Sequence, residues 1–228
     1  MKSVIYVNGQ EATNPVRYSG LIFIDAGARK GELLKGSFFN SDLSVRSDRK
    51  ITAINTFANC HMILIEPDPN HFEDLCEVAK KASIYASSVT VNVAALWDSN
   101  DGVVFYRSEG KSSDYGSTAL IDKKNPYESD YERLIIEDPL KVDTIDILDL
   151  MKNIDGSVYF KTDTEGGEYV ILPKLLDSNE ALKLKGLFVE WHQVFFPERH
   201  KDFANNYLNK IKNLMSLGME YNPWPAEW

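Results

Sequence analysis

A short apolar segment that ends in an acid and two glycines constrains the fold of this chain more than any other feature. Residues 21–25 read as a buried strand, and Gly27 and Gly31 follow the acid Asp25. Glycine lets a ligand approach the backbone closely, and open α/β sheets bind ligands at the carboxyl ends of their strands. The segment therefore predicts a strand-to-loop ligand site, with an ordinary tight turn as the alternative. The dinucleotide and phosphate-loop glycine patterns are absent, and Asp25 suits a ligand with an ammonium group better than one with a pyrophosphate.

Strand patterns alternate with helical patterns along most of the chain. Apolar spacing predicts helices at 71–82, 145–152, 167–176 and 202–217, and Thr144 is the expected N-cap of the second. Strands are predicted at 21–25, 61–66, 89–96, 102–107, 140–145, 157–162, 186–191 and 219–224. This alternation is typical of an α/β protein with a parallel sheet and crossover helices.

A polar stretch at 108–138 interrupts the alternation. We interpret it as a long loop or partly helical insertion that covers the substrate, because long loops often carry binding residues. Its candidate contacts are hydroxyl side chains, namely Tyr115, Ser117, Thr118, Tyr127 and Tyr131. A chain of 228 residues suits one well-packed domain. We therefore predict a single domain over 1–228, with this insertion inside it.

Charge and composition argue against several classes of function. The net charge is −9 and the pI is near 5.0, whereas a nucleic-acid partner usually requires a basic surface that neutralises phosphates. Cys60 and Cys76 are interpreted as reduced thiols. No apolar run is long enough to span a membrane, and the N-terminus lacks the apolar core of a signal peptide. The cytoplasm is therefore the expected compartment.

Acids also mark the ends of two later strands. Glu66 ends the strand at 61–66, where a carboxylate is well placed to accept hydrogen bonds from the hydroxyls of a nucleoside ribose. Lys161, Asp163 and Glu165 alternate along an extended segment, so their side chains are predicted to project to one side. Clustered carboxylates repel one another unless they share a cation or a proton, which marks a functional candidate. A solvated acidic strand end is the alternative interpretation.

These segments together resemble the FkbM family of S-adenosylmethionine-dependent methyltransferases, over roughly residues 20–195. The family pattern is D-x-G-A-x-x-G after the first strand, E-P-x-P after the second and K-x-D-x-E-G-x-E at the fourth. The chain has DAGARKG at 25–31, EPDP at 66–69 and KTDTEGGE at 161–168, with a long connection before Glu66 that implies an insertion at 41–56. The resemblance implies a Rossmann-like class I methyltransferase fold, in which a doubly wound, mostly parallel sheet carries helices on both faces.

The resemblance also implies S-adenosylmethionine as the cofactor. The residues expected to contact it are Asp25, Gly27, Ala28, Gly31, Glu66, Pro67 and Ala95. Asp25 and the two glycines would shape the amino-acid end of the cofactor site, and Glu66 would hold the ribose.

The expected chemistry is methyl transfer to a hydroxyl group of a small-molecule or carbohydrate acceptor. A hydroxyl becomes a good nucleophile when its proton is removed or its pKa is lowered. Asp163, Glu190 and His192 are the candidate catalytic residues, with His192 as general base, or with these residues as ligands of a divalent metal. The remaining histidines are interpreted as structural: His61, His71 and His200.

Three alternatives stay open on the sequence alone. One is an NAD-dependent oxidoreductase on a similar sheet, although the dinucleotide glycine pattern is absent. Another is a non-catalytic binding protein of the same fold. The third is an RNA 2′-hydroxyl methyltransferase, which the net charge of −9 disfavours. A homo-oligomer is compatible with all of them.

Overall fold

The computed structural model describes residues 1–13, 17–31, 34, 60–109, 117–123, 133–134 and 139–224. The strands are β1 (Lys2–Val7), β2 (Gln10–Glu11), β3 (Tyr18–Ala26), β4 (Cys60–Glu66), β5 (Ser88–Val93), β6 (Ala95–Trp97), β7 (Val103–Phe105), β8 (Ser108–Glu109), β9 (Arg133–Leu134), β10 (Leu140–Val142), β11 (Thr144–Asp146), β12 (Ile154–Thr162), β13 (Leu184–Glu190) and β14 (Glu220–Trp224). The α-helices are α1 (Phe72–Ala82), α2 (Ile147–Lys152), α3 (Glu168–Leu176) and α4 (Pro197–Ser216), and short 3-10 helices span Pro69–His71 and Asn179–Lys183.

Eight strands form one sheet, in the order β14-β13-β12-β3-β4-β5-β1-β2. The pairs from β14 to β5 are parallel, and β1 and β2 add an antiparallel edge. The chain builds the sheet outward from β3, first through β4 and β5 and later through β12, β13 and β14 on the other side. In an open parallel sheet, the carboxyl ends of the strands at such a reversal form a crevice for ligands. The described chain is therefore a mixed α/β protein with a mostly parallel central sheet.

Buried side chains pack on both faces of this sheet. Successive residues of a strand point to opposite faces. Ile22 and Ile24 of β3 belong to a buried cluster that includes residues of α2, α3 and α4. Leu21 and Phe23 pack instead against a second cluster, which includes residues of α1. The ends of β3 and its neighbours are thus held between two apolar layers.

The structure contains an N-terminal hairpin, β1 and β2, that the sequence analysis did not predict. β1 pairs with β2 and β5, and the turn between β1 and β2 consists of Asn8 and Gly9, whose φ angles are 50° and 76°. An Asn-Gly pair between two strands is a strong local signal for a two-residue hairpin turn. The sequence therefore contained the information for this edge of the sheet.

The helix after residue 144 begins later than the sequence predicts. Thr144 lies in β11, where it pairs with Ala95 of β6. Asp146 is the N-cap of α2, because its carboxylate accepts hydrogen bonds from the N–H groups of Leu148 (2.7 Å) and Asp149 (3.3 Å). Both Thr and Asp are good N-cap residues. The predicted N-cap was wrong because Thr144 pairs in a strand and the helix begins after Asp146.

Most other predicted elements lie within a few residues of their observed bounds. The strands at 89–96 and 140–145 are each divided in two, and the last helix begins at Pro197 instead of 202, because Pro is favoured in a first helical turn. Cys60 and Cys76 are free thiols. Among the described helices, none has the length and apolar character needed to cross a membrane.

The structure describes only parts of the predicted substrate cover at 108–138. Residues 108–109, 117–123 and 133–134 are described, whereas Tyr115, Tyr127 and Tyr131 lie outside the described residues, as does the insertion expected at 41–56. The division of the chain into one domain stays a prediction.

Asp146 is expected to stabilise the protein in a pH-dependent way. Burial alone would raise the pKa of Asp146, but hydrogen bonds from Lys174 and from two N–H groups of α2 outweigh burial and lower the pKa. A carboxylate whose pKa is lower in the folded than in the unfolded state stabilises the fold above about pH 4, and that contribution is lost as the pH falls further. We expect Asp146→Ala to lower the free energy of unfolding by about 1–2 kcal/mol at pH 7.

Urea unfolding of both proteins at pH 7 and at about pH 3 checks this prediction. The difference between wild type and variant should shrink at the lower pH, and an equal difference at both pH values would contradict an ionised cap. Asp202→Asn, at an exposed position of α4, is the control, with an expected change within about 0.5 kcal/mol.

Candidate functional site

The loop after β3 lies directly against the loop after β12. The N–H groups of Gly27 and Ala28 donate to the carbonyl of Ile65 at 3.0 and 3.1 Å, which ties the first loop to the end of β4. A Cβ atom on Gly27, whose φ is +78°, would lie 1.7 Å from the carbonyl oxygen of Asp163. Glycine is required at position 27 because the two loops approach each other too closely for a side chain.

Asp25 is buried near the end of β3, with 1% of its surface exposed. The ammonium nitrogen of Lys161 lies 3.1 Å from Oδ1 of Asp25 and 3.4 Å from Oδ2 of Asp163, and it donates to the carbonyl of Gly27 at 3.2 Å. Burial raises the pKa of Asp25, and the charge of Lys161 opposes this shift. No described residue donates a hydrogen bond to Oδ2 of Asp25. Lys161 therefore joins the carboxylates of two neighbouring strands and leaves one buried oxygen available to a ligand.

Glu66 ends β4 with a carboxylate that two backbone amides hold in place. Oε2 accepts from the N–H of Arg29 at 2.8 Å, and Oε1 accepts from the N–H of Asp68 at 2.9 Å. His71 Nδ1 lies 3.5 Å from Oε1, so this histidine supports a predicted site residue. Arg29 reaches its position with a φ of 49°, which is uncommon for a residue other than glycine. A carboxylate has about four acceptor positions, so Glu66 keeps capacity for a ligand hydroxyl.

Several residues near Glu66 lie at the end of β4. Pro67 is half-buried, and the carboxylate of Asp68 accepts two hydrogen bonds from the guanidinium of Arg107, at 3.1 and 3.2 Å. Ala95 is buried at the start of β6, and the residue before it donates its N–H to the carbonyl of Glu66 at 3.1 Å. Gly31 of the first loop has a φ of +76°, and a Cβ atom at this position would lie 3.0 Å from Cγ1 of Val78.

Glu168 is a fully buried carboxylate at the start of α3. Its Oε2 accepts from the N–H of Gly166 at 3.0 Å and from the hydroxyl of Thr164 at 3.2 Å. Its Oε1 faces the backbone N–H and the ring Nδ1 of His192, at 3.2 and 3.0 Å. One carboxylate thus joins the turn after β12 to the chain that leaves β13, and it sets the orientation of the imidazole.

The second ring nitrogen of His192 faces two further carboxylates. Nε2 lies 3.7 Å from Oδ1 of Asp163 and 3.5 Å from Oε2 of Glu165. Within the described chain, these three residues form a group whose donor atoms all lie within 4.8 Å of one another, which is close enough to hold a metal ion. Glu165 belongs to this group in place of Glu190. Sequence spacing treats Glu165 as part of an extended segment, but it lies in a turn with a φ of 51° that brings its carboxylate beside His192.

The charges at the strand ends shift the pKa values of two residues. Burial alone would lower the pKa of His192, but Glu168, Glu165 and Asp163 outweigh burial and raise the pKa to about 10. Burial and the neighbouring Asp163 raise the pKa of Glu190 to about 7. The surrounding carboxylates therefore favour the protonated form of the His192 imidazole in the ligand-free protein.

Part of the predicted substrate cover contacts these carboxylates. The hydroxyl of Thr118 donates to the backbone carbonyl of Glu165 at 2.6 Å, and Lys123 donates to the side chain of Glu165 at 2.9 Å. Asp122 receives two hydrogen bonds from Arg199 of α4, at 2.8 and 3.0 Å. Residues 117–123 are therefore fastened beside the acidic turn.

The structure brings the predicted site residues to one edge of the sheet. Asp25, Gly27 and Asp163 meet through direct contacts, and Glu66 lies on the adjoining strand. Sequence reasoning named Lys161 within the third motif but gave it no partner, and it missed other residues that hold this edge together: His71, Arg107, Lys123 and Glu168. The signals for Lys161 and Glu168 lay in the third motif, whereas no local pattern identifies His71 or Lys123.

A mostly parallel sheet with a glycine loop and carboxylates at adjacent strand ends defines the class of protein, an α/β chain with a methyltransferase-like fold. A family model described as the methyltransferase FkbM domain matches residues 25–215, which is most of the chain. The protein belongs to the FkbM methyltransferase family, and the resemblance drawn from the three motifs is confirmed. Comparisons with curated proteins and with solved structures give no match.

Proposed function

We propose that this protein transfers a methyl group from S-adenosylmethionine to a hydroxyl oxygen of a small-molecule or carbohydrate acceptor. The observation that carries the proposal is the placement of Asp25, Glu66 and Asp163 at the ends of three adjacent parallel strands. Membership of a methyltransferase family supports the reaction class. The net charge of −9 favours a small acceptor over a nucleic acid.

The strand order supports a doubly wound, Rossmann-like sheet for this function. When the parallel strands are numbered along the chain, they lie in the order 3-2-1-4-5-6 from β5 to β14. Doubly wound sheets of this order bind their cofactors where the order reverses. Here that point lies between β3 and β12, which is where Asp25 and Asp163 share Lys161.

The described residues fit an amino-acid nucleoside cofactor. The available oxygen of Asp25 suits an ammonium group, and the remaining acceptor capacity of Glu66 suits a ribose hydroxyl. Gly27, Ala28 and Gly31 would shape the loop between these two acids, with Pro67 and Ala95 on the far side of Glu66. S-adenosylmethionine supplies an electrophilic methyl group when bound, and the protein supplies binding and alignment.

The residues at the ends of β12 and β13 would act on the acceptor. Its hydroxyl oxygen bonds to the methyl carbon as the carbon–sulfur bond breaks, which leaves a thioether, and its proton passes to the site or to water. Asp163, Glu190 and His192 are the proposed catalytic residues. Asp163 contacts Lys161 on the cofactor side and faces His192 on the other, so it would lie between cofactor and acceptor.

Isothermal titration calorimetry with S-adenosylmethionine, S-adenosylhomocysteine and NAD tests the proposed cofactor. We expect both sulfur compounds to bind with one site per chain, and NAD to show no binding. Binding of NAD without binding of either sulfur compound would instead identify the oxidoreductase alternative. Absence of binding for all three would indicate a non-catalytic protein of the same fold.

Glu66→Gln is expected to weaken binding of S-adenosylhomocysteine by about 10- to 100-fold. A hydrogen bond to a charged group contributes roughly 1.5–3 kcal/mol, and about 1.4 kcal/mol corresponds to tenfold in affinity. Calorimetry measures the change, and Glu73→Gln, at an exposed position of α1, is the matched control. Unchanged affinity would show that Glu66 does not contact the cofactor.

Glu66 also holds the backbone amides of Arg29 and Asp68, so its replacement could weaken binding by displacing the loops. A deoxyribose analogue of S-adenosylhomocysteine distinguishes this effect from the loss of a direct contact between Glu66 and the ribose. Wild type should bind this analogue more weakly than the parent compound. Glu66→Gln should discriminate less between the two, because its single neutral amide oxygen is a weaker acceptor for the hydroxyl than a carboxylate. Equal discrimination by both proteins would assign the affinity loss to the loop.

A further inference from the structure

We propose that the carboxylates of Asp163 and Glu165 and the imidazole of His192 bind one divalent metal ion. This site differs from the set predicted from the sequence, because Glu165 replaces Glu190 as a ligand. The purpose of the ion rests on the proposed methyl transfer, but its binding is a separate property that can be measured without the cofactor.

The spacing of the three side chains suits a shared ion. Nε2 of His192 lies 3.7 Å from Asp163 Oδ1 and 3.5 Å from Glu165 Oε2. Ligand atoms that each lie about 2.0–2.2 Å from a metal stand roughly 3.0–3.6 Å apart, depending on the coordination geometry. The observed separations are close to these values, and all three donor atoms lie within 4.8 Å of one another. Lys123, which donates to Oε2 of Glu165 at 2.9 Å, would share that carboxylate with the ion.

The imidazole is already oriented for coordination. Glu168 is fully buried, and its Oε1 lies 3.0 Å from Nδ1 of His192. Metal-binding histidines usually donate their second ring N–H to a carboxylate or carbonyl, which fixes the ring and selects the free nitrogen. Here that partner directs Nε2 toward Asp163 and Glu165.

The buried acid Asp25 shares its counter-ion with one of these ligands. Asp25 is 1% exposed, and no described residue donates a hydrogen bond to its Oδ2. Asp25 shares the ammonium of Lys161 with Asp163, at 3.1 and 3.4 Å. One lysine thus serves two carboxylates, and a buried carboxylate such as Asp25 is strongly destabilising when its charge lacks a partner. A divalent ion on Asp163 would leave Lys161 to Asp25.

Three protein ligands leave coordination positions open for oxygens of the acceptor. A metal ion held by these residues would polarise a bound hydroxyl and lower its pKa, and the proton would pass to water instead of a histidine base. Carboxylate and imidazole donors together suit a first-row ion such as Mn²⁺ better than Ca²⁺, which binds through oxygen ligands alone.

Titration of the full chain with Mn²⁺ alone, followed by calorimetry and by electron paramagnetic resonance of free Mn²⁺, tests the site. We expect one Mn²⁺ per chain, with affinity reduced at least tenfold in Asp163→Asn and in Glu165→Gln. Glu168→Gln should reduce affinity about 10- to 100-fold through the orientation of His192. Asp149→Asn makes the same change of charge at an exposed residue of α2 and should leave Mn²⁺ binding unchanged.

Two results would overturn the proposal. One is the absence of stoichiometric Mn²⁺ binding to wild type, and the other is unchanged binding in Glu165→Gln, whose side chain is 24% exposed and whose replacement should fold normally. A larger effect of Glu190→Gln than of Glu165→Gln would likewise refute this ligand set. Circular dichroism confirms that each variant is folded.

Titration of the protein with S-adenosylhomocysteine in EDTA measures cofactor binding without a metal ion, so it tests the two proposals separately. Cofactor binding without Mn²⁺ binding would overturn the metal site and leave the methyl transfer standing. Mn²⁺ binding without cofactor binding would overturn the proposed methyl transfer and leave the metal site standing.

Discussion

Gly27→Ala is expected to destabilise the protein by about 3 kcal/mol or more and to abolish binding of S-adenosylhomocysteine. The φ of Gly27 is +78°, a conformation that costs an alanine about 1–2 kcal/mol. The new methyl group would also lie 1.7 Å from the carbonyl oxygen of Asp163. Overpacking of this kind typically costs about 1–3 kcal/mol more. The loops after β3 and β12 must separate to relieve the clash.

Gly20→Ala is the matched control for this substitution. Gly20 lies in the same strand with a φ of +83°, and no atom lies within 4 Å of the position of its Cβ. This variant should therefore show the backbone cost alone, about 1–2 kcal/mol, and should keep its affinity for S-adenosylhomocysteine. Urea unfolding and calorimetry measure both quantities. Equal stability of the two variants would show that the loops tolerate a side chain at position 27.

Glu168→Ala is expected to lower the free energy of unfolding by about 3–5 kcal/mol, because it removes one partner of a buried ion pair and leaves several donors without a hydrogen bond. The lost carboxylate serves the N–H of Gly166, the hydroxyl of Thr164, and both the backbone N–H and Nδ1 of His192. Globular domains are stable by only about 5–15 kcal/mol. The loss would therefore be a large fraction of the total.

Glu168→Gln refines the measurement because it keeps the shape of the side chain. An amide offers one acceptor oxygen, so one pair of donors would face an N–H₂ group, at a cost of about 1–3 kcal/mol. Glu77→Gln makes the same change in an exposed pair with Lys81 and should alter stability by less than about 0.5 kcal/mol. The measurements are made in EDTA, so that metal binding does not contribute. A change in Glu168→Gln as small as that in Glu77→Gln would show that the buried carboxylate is not needed for the fold.

Both predictions concern contacts between the turn after β12 and other segments of the chain, and the sequence anticipated only part of them. The three motifs identified the family and placed Asp25, Glu66 and Asp163 at strand ends. The roles of these residues in binding stay predictions. The Asn8-Gly9 pair is a local sequence signal for the hairpin turn between β1 and β2.

The sequence by itself determined most of the strands and helices, because those depend on periodicity and on turn residues within a few positions. It also determined that acids end several strands. Only the tertiary structure decided that β12 lies beside β3, so that Asp25 and Asp163 share Lys161. It also brought the carboxylate of Glu165 within 3.5 Å of Nε2 of His192. These contacts depend on strand order and on the packing of distant segments, and local spacing contains no information about which strands become neighbours.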